Sequence, residues 1–232
     1  MRLEMINGIR LIIVAFMYYV ITFTFSGWFE SLVAKYVGDD APEQTGFLTL
    51  NPLEHFNVVG FGIVLWCTFY ASLLPIQFIP GWGRHIPLMP EQIHGKYFKA
   101  RILTEYLARS IAHLLILLTA ATALMLISGA VNIYGLAAMS ATNTTSLKEG
   151  LVLLLQFMLV QNLLLFVIHF ILGGFKYCIY FYMPQFQTVS FGTILLTFIA
   201  LVVALSIFGP LLQILAIQLI EGIHSLLLLM TR

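Results

Sequence analysis

Glu30, the pair Asn162 and His169, and the set Gln213, Gln218, Glu221 and His224 are polar side chains within otherwise apolar stretches. Ionisable groups in such stretches are costly to insert and mark functional positions by default. Glu30 is expected at a helix end, paired locally with a group such as Lys35, or in a polar cavity. Asn162 and His169 are seven residues apart and share a helix face, with Gln161 beside them; there they would line a cavity or hold a partner helix through interhelical hydrogen bonds. Gln213, Gln218, Glu221, His224 and Ser225 fall within an arc of about 140° on a helical wheel, a polar stripe that must avoid lipid. Glu221 and His224 form an E-x-x-H pair of the kind that binds metal between bundle helices, although one such pair is a weak signal. No P-loop, G-x-G-x-x-G, G-x-S-x-G or C-x-x-C pattern occurs, so nucleotide binding, serine hydrolysis and thiol redox have no support in the sequence.

The elements that must position these residues are membrane helices. Of 232 residues 60% are apolar and 9% charged, and mean hydropathy is +0.97, which places the chain among integral membrane proteins. Nearly uncharged runs cover 11–34, 58–79, 110–139, 151–175 and 190–230, each at least the roughly 20 residues needed to cross a bilayer core. The last run is long enough for two helices, with Gly209-Pro210 as a hairpin or a kink. The expected fold is therefore an all-α integral membrane protein, a polytopic bundle of five or six transmembrane helices forming a single domain over 1–232. The polar connections at 39–57, 80–105 and 140–149 are too short to bury a core, and 140–146 reads as a turn before a helix beginning near Leu147. Cys67 and Cys178 lie in apolar surroundings and suggest packing. The first hydrophobic segment lacks a small-residue cleavage site and reads as retained. Net charge of +1 argues against a nucleic-acid partner; the partners implied are membrane lipids, whose headgroups suit the basic and aromatic stretch Trp82 to Arg101, and other transmembrane helices.

One stretch carries a resemblance. Gly38 to Gly60, GDDAPEQTGFLTLNPLEHFNVVG, resembles the loop that follows the zinc-binding helix in site-2-protease-like intramembrane metalloproteases. Gly81-Trp82-Gly83-Arg84-His85-Ile86-Pro87-Leu88-Met89-Pro90 is similar to that family's G-W-A-K-P-V-P-V-N-P loop, and Ala108 to Leu114 stands where its A-G-P-x-A-N-x helix start belongs. The likeness covers about 10–180 as a family-like core, leaving 190–230 as a C-terminal helix or helical hairpin. The family's H-E-x-x-H motif, two imidazoles one turn apart holding zinc with a glutamate base between, would fall on Ser26-Gly27-Trp28-Phe29-Glu30. Ser26 and Gly27 supply neither ligand nor base, and Glu30 is left as a single carboxylate. The F-N-x-x-P-x-x-P-x-D-G turn that would bring the third ligand is replaced by Ile171 to Tyr177, without aspartate or proline.

The resemblance thus implies a degenerate, non-catalytic member with no cofactor: an accessory or scaffold subunit, or an adaptor for single-span client helices, in a bacterial inner membrane. Two alternatives stay open. One is an active zinc protease with rearranged ligands drawn from Glu30, His55 or His169; the other is a small transporter or channel subunit using the stripe near Glu221. Topology is contested as well. By the positive-inside rule, six alternating spans would gather Arg2, Arg10, Arg84, Lys96, Lys99, Arg101, Lys176 and Arg232 in the cytoplasm and leave Lys35 and Lys148 opposite, whereas the family likeness places 38–57 in the cytoplasm and 80–105 outside.

Overall fold

The computed structural model describes residues 2–70, 81–128, 147–183 and 218. The described residues are helical with no strand: α1 is Arg2–Val37, α2 Ala41–Gln44, α3 Pro52–His55, α4 Val58–Tyr70, α5 Phe98–Ser128 and α6 Leu147–Tyr182, with a 3₁₀ turn at Pro90–Gln92. Three of these are long and apolar enough to cross a membrane, over Gly8–Val37, Phe98–Ile127 and Leu147–Tyr182. At 36 residues, α1 extends about 54 Å, well beyond the roughly 30 Å of a hydrocarbon core.

The helices pack on aromatic and aliphatic side chains: Tyr18, Tyr19 and Phe23 of α1, Leu117 and Leu124 of α5, and Phe157 and Leu159 of α6 are all buried in one core. Tyr18 meets Phe157 edge to face with ring centroids 4.8 Å apart, the arrangement that the ring quadrupoles favour. A second, smaller core joins Val37, Ile93 and Ile102, with Tyr106, Tyr177 and Phe181 against it. The end of α1, the start of α5 and the end of α6 therefore lie together at one end of the bundle.

Helix α1 stops at Gly38, whose φ of +106° is open to glycine and strained for other residues. The N–H groups of Gly38 and Asp39 close back on the Ala34 carbonyl at 3.1 and 2.9 Å. Asn51 then caps α3 by accepting from the Leu53 N–H at 3.2 Å, with Pro52 at the first helical position.

Of the stretch 58–79, expected as a crossing, residues 58–70 form α4 and 71–79 lie outside the described residues. The Tyr19 hydroxyl lies 2.9 Å from the Asn57 carbonyl and 2.8 Å from that of Trp82, and the Arg84 N–H donates to the His55 carbonyl at 2.9 Å. A Cβ on Gly60 would overlap the Trp82 carbonyl oxygen. Positions 57 and 82 thus sit at the same level of α1. Farther along, the Met89 N–H donates to Asp39 Oδ2 at 2.6 Å, so 38–57 and 81–97 share one end of the bundle. Apolar length measures whether a segment suits lipid and carries no information about where its ends lie relative to one another; three of the five or six expected spans fall on described helices.

Two other boundaries differ from the apolar runs. Helix α5 begins at Phe98, twelve residues before the uncharged run that starts at 110, because Glu105 and Arg109 turn inward; Glu105 is fully buried. Helix α6 starts at Leu147 as the polar turn suggests, and continues through Gly173-Gly174 to Tyr182.

Candidate functional site

Residues four apart on a helix lie on one face. Along α1 this spacing puts Tyr18, Thr22, Ser26 and Glu30 in a row, all buried. On α5 it aligns Glu105, Arg109 and His113, and on α6 the seven-residue spacing aligns Asn162, His169 and Lys176. The three rows meet as a polar seam inside the bundle.

Within it Glu30 pairs with Arg109: Nε donates to Glu30 Oε2 at 2.7 Å and Nη2 contacts the same oxygen. The expected local partner, Lys35, instead bonds Glu43 at the exposed end of the helix, 2.5 Å away. Glu30 is 7% exposed and Arg109 18%, so both charges are largely removed from solvent and each neutralises the other.

Deeper in, the His113 Nδ1–H donates to Asn162 Oδ1 at 2.9 Å. The amide nitrogen of Asn162 donates in turn to Thr22 Oγ1 at 3.2 Å and to the Met158 carbonyl at 2.8 Å. One side chain of α6 thereby ties α5 and α1 together. The His169 ring lies against His113, centroids 4.8 Å apart, and its Nδ1–H donates to the Leu165 carbonyl at 2.9 Å. Ser110 adds a hydroxyl bond to the Phe166 carbonyl at 3.1 Å. Asn162 thus bonds side chains of two other helices, whereas the Nδ1 bond of His169 stays within its own helix. Polar links between membrane helices average about 0.6 kcal/mol. A double-mutant cycle of His113→Phe and Asn162→Leu, read by unfolding in bilayer-like micelles, is expected to return a coupling of that order; strictly additive losses would contradict the bond.

Of the positions where the family resemblance would put its motif, Ser26 is buried and Gly27 lies beneath the imidazole of His55, so that a Cβ there would overlap the ring. The His55 Nε2–H donates to the Thr49 carbonyl at 2.8 Å, leaving Nδ1 unprotonated against the glycine. Burial lowers the His55 pKa, consistent with this neutral tautomer. These residues do not fit a zinc ion: Ser26 and Gly27 offer no imidazole or carboxylate, and the Glu30 oxygen is engaged by a guanidinium. Among the described residues no three His, Cys, Asp or Glu side chains are grouped to hold a metal. Gln218 is exposed, while Gln213, Glu221, His224 and Ser225 lie outside the described residues.

Residue type alone does not mark Arg109, His113, Thr22 or Glu105 as members of the seam. Their signal is spacing: Glu105-x₃-Arg109-x₃-His113 and Thr22-x₃-Ser26-x₃-Glu30 are each one helical stripe. Compared with protein-family models, with curated proteins and with solved structures, the chain gives no significant match.

Proposed function

We propose that this chain is a non-catalytic, site-2-protease-like membrane protein that acts through helix contacts, as an accessory or scaffold subunit or as an adaptor for single-span clients in a bacterial inner membrane. The observation that carries the reading is the polar seam at the positions of the resembled motif. Where the resembled family keeps metal, base and water, this chain has the Glu30–Arg109 pair and Gly27 closed off by His55. Such a seam holds helices in register, and the Glu30 carboxylate within it is engaged by a guanidinium.

A groove of about 210 Å³ between α1, α5 and α6 supports the contact role. Ile21, Phe25 and Met158 wall it, and Thr119, Ala120 and Ala123 form its small-residue side, where another helix backbone can approach closely. The end bearing Arg84, Lys96, Lys99 and Arg101 is read as cytoplasmic by the positive-inside rule.

The experiment is purification from native membranes in mild detergent, with companion proteins and zinc measured on the same sample. Stoichiometric membrane companions without zinc are the expected result. A solitary protein carrying one zinc per chain would overturn the reading and restore a protease with rearranged ligands.

A further inference from the structure

Glu105 differs from Glu30, the other carboxyl group of the seam. It is 0% exposed, and neither carboxyl oxygen has a hydrogen-bond donor. Among the described residues no lysine or arginine pairs with it, in contrast to Glu30. What it meets is the carboxyl group of Asp39, which is also 0% exposed. Asp39 is already committed as an acceptor: Oδ1 takes the Ala41 N–H at 2.9 Å and Oδ2 the Met89 N–H at 2.6 Å.

Two carboxyl groups in contact and away from water do not both ionise, because the repulsion is unscreened and neither charge is solvated. A proton between them removes one charge and supplies the missing donor. With both Asp39 oxygens accepting backbone N–H groups, the proton falls to Glu105, whose O–H donates to Asp39.

We propose that Glu105 and Asp39 form a proton-holding pair, one proton shared between two buried carboxyl groups, that latches the start of α5 to the turn after α1 and to the segment reaching Met89. The pair binds three parts of the chain that are remote in sequence: Asp39, the 81–97 segment through the Met89 amide, and α5. The charged and titratable groups facing Glu105 are Asp39 from the turn, Glu30 from α1, Glu91 from the 3₁₀ turn, Tyr106 on its own helix, and Lys176 and Tyr180 from α6. Acidic groups outnumber the single cation among them, which favours keeping the proton. The inference stands independently of the accessory-subunit reading, since it concerns how this end of the bundle is closed.

Infrared spectroscopy of the purified full chain in lipid, at neutral pH, tests it directly. The expected spectrum contains the C=O stretch of a buried protonated carboxyl, shifted downward in D₂O and lost in Glu105→Gln. The glutamine keeps an N–H donor toward Asp39 and is expected to fold. On wild-type protein alone, raising the pH is expected to abolish the band together with the protection of the Met89 amide against hydrogen exchange, so the test does not depend on the variant. Absence of the band at neutral pH, or its persistence in Glu105→Gln, would overturn the proposal. A band that appears only after sodium and divalent cations are removed would also overturn it, and would assign the pair to a metal cation.

Discussion

Arg109→Ala is expected to lower the stability of the folded bundle by about 3–5 kcal/mol, the usual loss when one member of a buried ion pair is removed and the other is stranded. The Glu30 carboxylate would then lie inside the helix bundle, 7% exposed, with its guanidinium partner gone. Glu30→Ala should cost a similar amount by stranding Arg109. Removing both charges together, as Glu30→Leu with Arg109→Met, should recover most of the loss, because desolvation of the two ions offsets much of their attraction. Arg109→Lys should be intermediate: it keeps the charge but cannot bring two nitrogens, Nε and Nη2, to one oxygen. Unfolding in a bilayer-like detergent mixture measures all four. A double variant no more stable than the sum of the single losses would show that the two charges are not coupled.

The second large effect lies at the α5–α6 contact. A Cβ on Gly173 would overlap the Tyr106 carbonyl oxygen and press on the Leu107 side chain. Backbone atoms cannot turn aside as a side chain tip does, so Gly173→Ala should force the two helices apart and lower stability by about 1–3 kcal/mol, the range for overpacking a filled interior. A methyl group on the adjacent Gly174 would meet nothing within 4 Å, and alanine favours helix over glycine by up to about 1 kcal/mol. Gly174→Ala should therefore be neutral or stabilising under the same unfolding assay. Equal behaviour of the two variants would mean that the helices do not approach each other at Gly173.

How much of this is legible in the sequence differs from residue to residue. The helical class follows from the length of the apolar runs, and the start of α6 from the polar turn before Leu147. Asn162 and His169 declare a shared face by their spacing, although their partners do not. Thr22 and His113 are 140 and 49 residues away from Asn162 in the chain, and nothing local marks such a pairing. Glu30 illustrates the same limit. A helical neighbour, Lys35, is the nearest cation in sequence, yet the partner is Arg109, 79 residues on, because packing of α1 against α5 decides which charges meet. The start of α5 is hidden for a related reason: Glu105 and Arg109 interrupt an apolar run, and only their inward orientation makes them compatible with a membrane helix. For the run over 58–79, its length gives no hint that its flanks, Asn57 and Trp82, meet at one tyrosine hydroxyl.

The nearness of Asn57 and Trp82 bears on how the protein is made. If the stretch between Asn57 and Trp82 leaves and returns on one side, α1 and α5 are consecutive crossings of the bilayer, and α6 follows as the third described crossing. The insertion machinery would then meet an apolar stretch that it must release without passing the following loop across the membrane. The Tyr19 hydroxyl, already delivered with α1, offers the two ends of that stretch a shared anchor. Non-helical backbone within a bilayer is tolerated only where protein covers it, and on that route Tyr19 would receive the carbonyls of Asn57 and Trp82 as the later segments arrive.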